Sequence, residues 1–417
     1  MKSLVPRRAN VALVLAVVYI DMLGLGLAFP ILPRLVQQFE GGNFSRASWV
    51  FGLLASAYAL MQFLLAPALG ALSDRFGRRP ILLLSLLGMG VNYLVLATAP
   101  SLAWLVIGRV IAGAMGASYS TASAYLADIT PPEKRAQSFG LIGAAFGFGF
   151  ITGPAIGGFL GDIDLRLPFL VASGLSFANL VFGLFILPES LAPENRRAFR
   201  LARANPVGAL ADIGRYKLVL PLVAVFVLAT FANKVAETTW VLFATYRFHW
   251  SAGAVGLSLA MVGVIFVVGQ GGLVRIVVPR LGERRAILVG LLVSAVVMVL
   301  YGIVPQGWMV YPVMCLMLFG WIVAQPTTMG LMSRALPANE QGLLQGVVAS
   351  INSLCAILAP PVWAAIFAYF VSPAAPLVVP GAAFDGAALV FLAALVVAVR
   401  TLSPKTAAAS SPQPEPA

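Results

Sequence analysis

Four charged side chains lie inside long apolar stretches of this sequence, and they are the first candidates for chemistry. Asp21 and Arg109 each stand alone in such a stretch, whereas Lys234 and Glu237 lie three residues apart in another. If these stretches cross a bilayer, each charge costs about 3 kcal/mol unless it is paired or hydrated. Residues of this kind usually bind ions, move protons or contact a substrate. The sequence therefore predicts a functional site at membrane depth.

Two interpretations of Asp21 stay open. It is either a packing residue bound to Arg109, or a protonatable group that faces a cavity. In the second case a cation that approaches and leaves would change how readily Asp21 holds its proton, which is a physical route to proton coupling. Lys234 and Glu237 share one helical face, so they are either a self-neutralising pair or part of a substrate site.

The elements that carry these residues are indicated by composition. Of the 417 residues 60% are hydrophobic and 10% are charged, whereas a soluble domain has about 25% charged residues. A bilayer core of about 30 Å requires about 20 apolar residues in a helix. Twelve stretches of that length, α1 to α12, are predicted near 11–33, 48–70, 80–99, 102–127, 137–160, 166–188, 217–245, 251–274, 286–304, 308–332, 343–370 and 383–401. The predicted fold is an all-α polytopic membrane protein.

The positive charge follows the predicted topology. Placing both termini in the cytoplasm puts 21 of the 27 Lys and Arg residues on the cytoplasmic side. This is the positive-inside pattern of membrane proteins, so the net charge of +12 does not indicate nucleic-acid binding. The expected location is the inner (plasma) membrane, in contact with lipids. We expect neither a cleavable signal peptide nor a disulfide, since both cysteines fall in predicted helices.

The chain repeats itself at an offset of 205 or 206 residues. The offset places Arg75 on Arg280, Gly77 on Gly282, Arg79 on Arg284, Pro131 on Pro337 and Pro154 on Pro360. Two parallel halves of six helices are typical of transporters that bind substrate between the halves. We predict an N-terminal bundle over 1–188, a cytoplasmic linker over 189–216, a C-terminal bundle over 217–402 and a disordered tail over 403–417.

Several motifs resemble the major facilitator superfamily. "GALSDRFGRRP" resembles its loop 2–3 signature, and "GRVIAGAMGASYSTASAYLAD" is similar to its fourth-helix pattern. "GFGFITGPAIGGFLGD" resembles the fifth-helix signature of its drug/proton antiporters, and "DMLGLGLAFPILPRL" is similar to the tetracycline/proton antiporters. The resemblance implies two pseudo-symmetric six-helix bundles that alternate access across the membrane.

The resemblance also implies a gate on the cytoplasmic side. Asp74 would contact the positive N-terminus of α11, near Gly342, when that side is closed. The gating residues predicted on this basis and from the glycine stripe of α5 are Asp74, Arg75, Gly77, Arg78, Gly153, Pro154 and Gly157. For the arginines a plain anchoring role is the alternative. The glycines are expected to pack tightly on a neighbouring helix, and Pro154 to bend α5.

Other positions concern protons and substrate. Proton coupling is predicted at Asp21, Arg109 and Glu237. The substrate cavity is predicted to include Gln62, Asn92, Asn233, Lys234, Phe266, Gln270 and Gln325. Three positions that are ionisable in the tetracycline antiporters are neutral here, namely Asn92, Phe266 and Ser294. This departure, together with Lys234 and Glu237, favours a different, anionic or zwitterionic substrate.

The predicted function is proton-coupled export of amphipathic small molecules by a monomer without a cofactor or metal. No ATP-binding loop, Cys/His cluster or strand-borne nucleophile supports an enzyme or a pump. One alternative is a facilitator or importer of a small metabolite on the same fold. Another is a membrane binding or lipid-moving protein. The sequence leaves the substrate, the direction of transport and the coupling open.

Overall fold

The computed structural model describes residues 11–116, 118–196, 219–337 and 340–402, which are helical with short connections. Within them, twelve helices are long and apolar enough to cross a membrane, as predicted. They are α1 Val11–Phe39, α2 Phe44–Phe76, α3 Arg78–Thr98, α4 Leu102–Ile129, α5 Pro132–Ile163, α6 Leu167–Ile186, α7 Val219–Phe248, α8 Ala252–Leu281, α9 Glu283–Ile303, α10 Gly307–Arg334, α11 Gln341–Phe370 and α12 Ala382–Thr401. Most of the predicted linker and the tail lie outside the described residues.

Local sequence explains where several helices begin and end. The Asn43 side chain accepts a hydrogen bond from the N–H of Arg46 (3.0 Å) and caps α2. Gly77 ends α2 with φ +107°, and Gly282 ends α8 with φ +76°. Glycine adopts such angles without steric cost, so both chain reversals are tight. The two glycines are partners in the predicted repeat, and in the structure each ends a helix with a positive φ angle.

Three glycines of α5 bring its backbone close to that of α1. A Cβ added at Gly153 would lie 2.6 Å from Cα of Gly26, and one at Gly149 would lie 2.7 Å from Cβ of Met22. Gly157 stands equally close to the backbone of Leu27. Small residues let two helix backbones approach closely, and the close approach adds van der Waals contacts. These contacts matter in a membrane, because the hydrophobic effect does not drive helices together in lipid. The predicted tight packing is confirmed at Gly149, Gly153 and Gly157, and α1 is the partner helix at these positions.

Polar side chains cross-link other helices of this bundle. Asn179 of α6 donates to the carbonyl of Val17 in α1 (2.9 Å), and Ser173 donates to the carbonyl of Gly90 in α3 (3.0 Å). All four residues are buried in the protein. Hydrogen bonds of this kind stabilise helix pairs in membranes by about 0.6 kcal/mol each.

Contact density divides the chain into two compact units. The first contains α1 to α6 and the parts of α7, α8 and α11 within 238–267 and 360–378. The second contains the remaining parts of those three helices with α9, α10 and α12. Since this grouping follows packing rather than chain order, the sequence-based boundaries of the two bundles stay a prediction.

Irregular segments interrupt three helices. A turn at 29–31 breaks α1 before Leu32–Phe39, so α1 runs past the predicted end at 33. In α8 the residues Gly269–Leu273 form a π-helical segment, and in α10 short 3₁₀ turns precede Gly320. The helix α5 continues through Pro154, whose hinge role stays a prediction. Segments of π-helix often occur at functional sites, and this one contains Gln270.

Candidate functional site

Asp21 lies on the part of α1 that packs inside the first unit. Its side chain is only 4% exposed. The hydroxyl of Ser118, on α4, is a hydrogen-bond partner of the carboxyl group. Its Oδ1 atom has no hydrogen-bond partner within the described residues. A carboxyl group that is buried and only half satisfied is costly to keep, so a structural role alone explains it poorly.

Arg109 does not form an ion pair with Asp21 within the part of the chain that the structure describes. Its guanidinium instead donates to Oδ1 of Asn92 (3.4 Å) and lies over the ring of Tyr58, 5.6 Å from the centroid. The interpretation of Asp21 as a packing residue bound to Arg109 is therefore wrong for this conformation.

Asn92 is the residue that the resemblance places at an acid position of the tetracycline antiporters. It is fully buried on α3, and its carbonyl oxygen faces Arg109. An amide satisfies part of the guanidinium without neutralising its charge, so the positive charge of Arg109 stays available for another anionic group. Ser294, on α9, is also buried and donates to the carbonyl of Gly290 (2.8 Å).

Lys234 and Glu237 form the predicted pair on α7. The ammonium nitrogen lies 2.6 Å from Oε2 of Glu237. The Lys234 side chain is 22% exposed and that of Glu237 is 51% exposed. An ion pair that is this accessible can exchange its internal contact for contacts with a charged ligand, since little protein must move.

The other predicted cavity residues have mixed surroundings. Gln62 donates to the carbonyl of Gly116 (3.2 Å) and so cross-links α2 to α4. Gln270 lies half-buried in the π-helical segment of α8, Asn233 and Gln325 are half-buried, and Phe266 is 49% exposed. Whether these residues line one cavity stays a prediction.

Arg78 is the centre of the charged cluster at the 2–3 turn. Its guanidinium contacts the carboxylates of Asp74 (2.5 Å) and Asp128 (3.2 Å) and the hydroxyl of Ser73 (2.7 Å). The predicted contact of Asp74 with the start of α11 stays a prediction. Asp128 was not among the residues predicted from the sequence, although the acid that ends "AYLAD" was a visible signal.

Glu189 binds the backbone of the same turn and accounts for its glycine. Its carboxylate accepts hydrogen bonds from the backbone N–H groups of Arg78 (2.8 Å) and Arg79 (3.3 Å), so it caps the N-terminus of α3. A Cβ at Gly77 would collide with this carboxylate. Arg75 instead points outward over the ring of Phe76 (5.1 Å). Glu189 follows α6 in sequence, and nothing local to the turn indicated it.

A second polar cluster holds the turn between α7 and α8. Arg34 of α1 donates to the carbonyl of Trp250 (2.5 Å) near the end of α7. Asp162, near the end of α5, accepts from the hydroxyl of Ser251 (2.8 Å) and the N–H of Gly253 (3.0 Å) at the start of α8. A cation thus meets the end of one helix and an anion meets the start of the next, as helix dipoles favour.

Comparison with known proteins decides the family. The sequence profile of the Major Facilitator Superfamily matches residues 13–360, which is most of the chain. The chain belongs to this superfamily. The resemblance of the motifs is thereby confirmed, as is the twelve-helix fold.

Two relatives that are more than 30% identical to this chain are tetracycline resistance proteins. The chain is 42% identical over 363 residues to the class C protein of Escherichia coli, which covers 87% of this chain and 91% of that protein. It is 34% identical over 359 residues to the class B protein of Escherichia coli, covering 86% and 88%. The predicted similarity to the tetracycline efflux group is confirmed.

Solved structures agree on the fold. The human organic anion transporter MFSD10 (TETRAN) matches with a TM-score of 0.66 at 25% identity, over 94% of this chain and 99% of that chain. The nucleoside transporter NupG matches with a TM-score of 0.77 at 10% identity, over 94% and 99%, and supports the fold alone. The chain is therefore a multi-pass membrane transporter of the superfamily and not an enzyme.

Proposed function

We propose that the protein is a proton-coupled exporter of amphipathic small molecules. It exchanges cytoplasmic substrate for protons by alternating access, as a monomer in the inner membrane with both termini in the cytoplasm. The tetracycline resistance relatives support drug-like substrates and efflux. The observation that carries the proposal is the Asp21 carboxyl, buried in α1 with one oxygen unsatisfied.

Asp21 is the proton carrier in this scheme. A carboxyl in a buried site exchanges its proton when its surroundings change, because an ionised group needs donors or a cation that a neutral group does not. Arg109 supplies the nearby cation, and its amide partner Asn92 leaves that charge unneutralised. A conformational change that alters the distance between the two groups then binds or releases one proton.

The substrate class is set by the second pair of charges. Lys234 and Glu237 present one charge of each sign on the accessible face of α7. We therefore favour an anionic or zwitterionic amphiphile, and the similarity to an organic anion transporter supports this choice. The magnesium–tetracycline complex is disfavoured, because the three acid or histidine positions of the antiporters are Asn92, Phe266 and Ser294 here.

Proton flux in liposomes tests the proposal. Purified protein is reconstituted with an internal pH dye, and tetracycline and a panel of anionic, zwitterionic and cationic drugs are added under an imposed proton gradient. We expect at least one compound to trigger proton flux in the wild type and not in Asp21→Asn. Asp385→Asn makes the same chemical change in the first turn of α12 and is expected to behave as the wild type.

Other outcomes select the alternatives. Substrate movement down its own gradient without a proton signal, in both wild type and Asp21→Asn, would make the protein a facilitator. Transfer of labelled lipid without any added drug would make it a lipid-moving protein.

A further inference from the structure

Asp21, Arg109 and two residues that interact with them each carry a buried polar atom without a hydrogen-bond partner within the described residues. These atoms are Oδ1 of Asp21, Nε of Arg109, Nδ2 of Asn92 and Oη of Tyr93. Buried polar atoms are nearly always satisfied by protein or ordered water. These atoms, on α1, α3 and α4, therefore each need a partner, and an ordered water is a partner that buried polar groups commonly use.

Tyr93 is the residue that reaches from α3 to α1. A Cβ added at Gly24 would lie 3.3 Å from Cε2 and 3.6 Å from the hydroxyl oxygen of Tyr93. Gly24 is three residues after Asp21, so both lie on the same face of α1. The absence of a side chain at Gly24 gives the tyrosine its space, and the Tyr93 side chain is 1% exposed.

The charged groups around Tyr93 come from the neighbouring helices. Asp21, Arg109 and Tyr58 of α2 all interact electrostatically with its hydroxyl. The helix α6 carries no ionisable side chain, and those of α5 lie toward its two ends. The Tyr93 hydroxyl can both donate and accept a hydrogen bond. It lies beside α1, and it interacts electrostatically with both Asp21 and Arg109.

We propose that the Tyr93 hydroxyl is the positioning residue that links the protonation of Asp21 to Arg109, through hydrogen bonds made directly or through a buried water. When Asp21 is ionised, the hydroxyl hydrogen is donated toward its Oδ1 and the hydroxyl oxygen accepts from the Arg109 side. When Asp21 is protonated, its O–H donates and the hydroxyl turns away, so Arg109 loses that acceptor. This inference rests on the proposed proton coupling at Asp21.

Tyr93→Phe is the direct test, because it keeps the ring against Gly24 and removes only the hydroxyl. Protons released on addition of a transported drug are measured with a pH dye in detergent, beside drug binding and the pH profile of transport. We expect binding within about twofold of the wild type and proton release lowered about fivefold or more. The pH of half-maximal transport should rise by about half a unit or more, since the ionised carboxylate loses a donor.

Two matched variants separate this inference from the proposed function. Tyr301→Phe removes another buried tyrosine hydroxyl, which donates to Sδ of Met317 (3.0 Å) in the second unit, and should leave proton release unchanged. If Asp21→Asn abolishes coupling and Tyr93→Phe matches the wild type in every readout, the inference fails and the proposed function stands. If Asp21→Asn keeps full coupling, the proposed function itself fails.

A measurement on the wild type covers the case in which Tyr93→Phe does not fold. A structure at about 2 Å resolution should show the Tyr93 hydroxyl or an ordered water within hydrogen-bond distance of Oδ1 of Asp21. A dry, unpartnered Oδ1 would overturn the inference.

Discussion

The charged side chains inside the helices have two kinds of surroundings. Lys234 and Glu237 neutralise each other within one turn of α7. Asp21 and Arg109 lie close enough to act on the same tyrosine but keep separate partners. In the function that we propose, Lys234 and Glu237 recognise the substrate, and Asp21 with Arg109 handles the proton. The proton-coupling role predicted for Glu237 stays a prediction.

Substrate preference should follow the sign of the charge that is removed from α7. Lys234→Met is expected to lower affinity for anionic drugs about tenfold, which corresponds to about 1.4 kcal/mol, and to leave cationic drugs nearly unaffected. Glu237→Gln is the matched control and should spare anionic drugs. Binding titrations with one drug of each charge measure this, and equal losses for both drugs in Lys234→Met would contradict a recognition role.

At the scale of helices, α1 and α5 of the N-terminal bundle approach each other closely through small residues. Gly153 and Gly26 bring α5 and α1 together where any Cβ would collide. Elsewhere on α5 the helix has room, and a Cβ at Gly143 would meet nothing within 4 Å. The same residue type is thus essential for packing at one position and replaceable at another on one helix.

Paired alanine substitutions test this difference. Gly153→Ala should lower the free energy of unfolding by about 1–3 kcal/mol, because the added methyl group forces α1 and α5 apart. Gly143→Ala should be neutral or stabilising, because alanine favours a helix by about 0.5–1 kcal/mol over glycine. Thermal unfolding in detergent reports both, and equal Tm values for the two variants would show that the close contact does not matter.

The turn between α7 and α8 offers a second test on helix ends. Asp162→Asn keeps an acceptor for Ser251 but removes the charge at the start of α8, so a loss of about 0.3–1 kcal/mol is expected. Asp162→Ala removes the acceptor as well and should cost about 1–2 kcal/mol. Glu194→Gln, at another exposed acid, serves as control. The graded order is checked by Tm, and a larger effect for Asn than for Ala would exclude the capping role.

Over the whole molecule, the two repeats use the same ion pair with its signs exchanged. Arg78 contacts Asp128 between α3 and the end of α4. At the offset of the repeat, Glu283 contacts Arg334 between α9 and the end of α10. The contact was kept while the charges were reversed, so the geometry of the site constrains the pairing more than the identity of either residue.

Double-mutant cycles should distinguish these two pairs. The side chains of Arg78 and Asp128 are 13% and 22% exposed, whereas those of Arg334 and Glu283 are 58% and 38% exposed. Screening by solvent leaves an exposed pair with about 0.2–1 kcal/mol of coupling, and the more buried pair should exceed about 1 kcal/mol. Cycles of alanine variants, measured by unfolding, give both values. Equal coupling in the two halves would contradict the role of burial.

The sequence by itself determined the twelve helices, the repeat, the superfamily and the residues that merit attention. Each of these depends on local information. Apolar length predicts a span, a glycine between two helices predicts a tight reversal, and the loop 2–3 and fifth-helix motifs are contiguous. The pairing of Lys234 with Glu237 was predictable for the same reason, since residues three positions apart on a helix lie on the same face.

Only the tertiary structure decided which distant residues meet. The cap that Glu189 places on α3, the contact of Arg109 with Asn92 and the position of Tyr93 beside Gly24 all depend on how each helix is rotated about its axis. That rotation is set by side-chain packing between helices that lie tens of residues apart in sequence. Hydropathy does not record it, because a span satisfies its length and composition in every rotation.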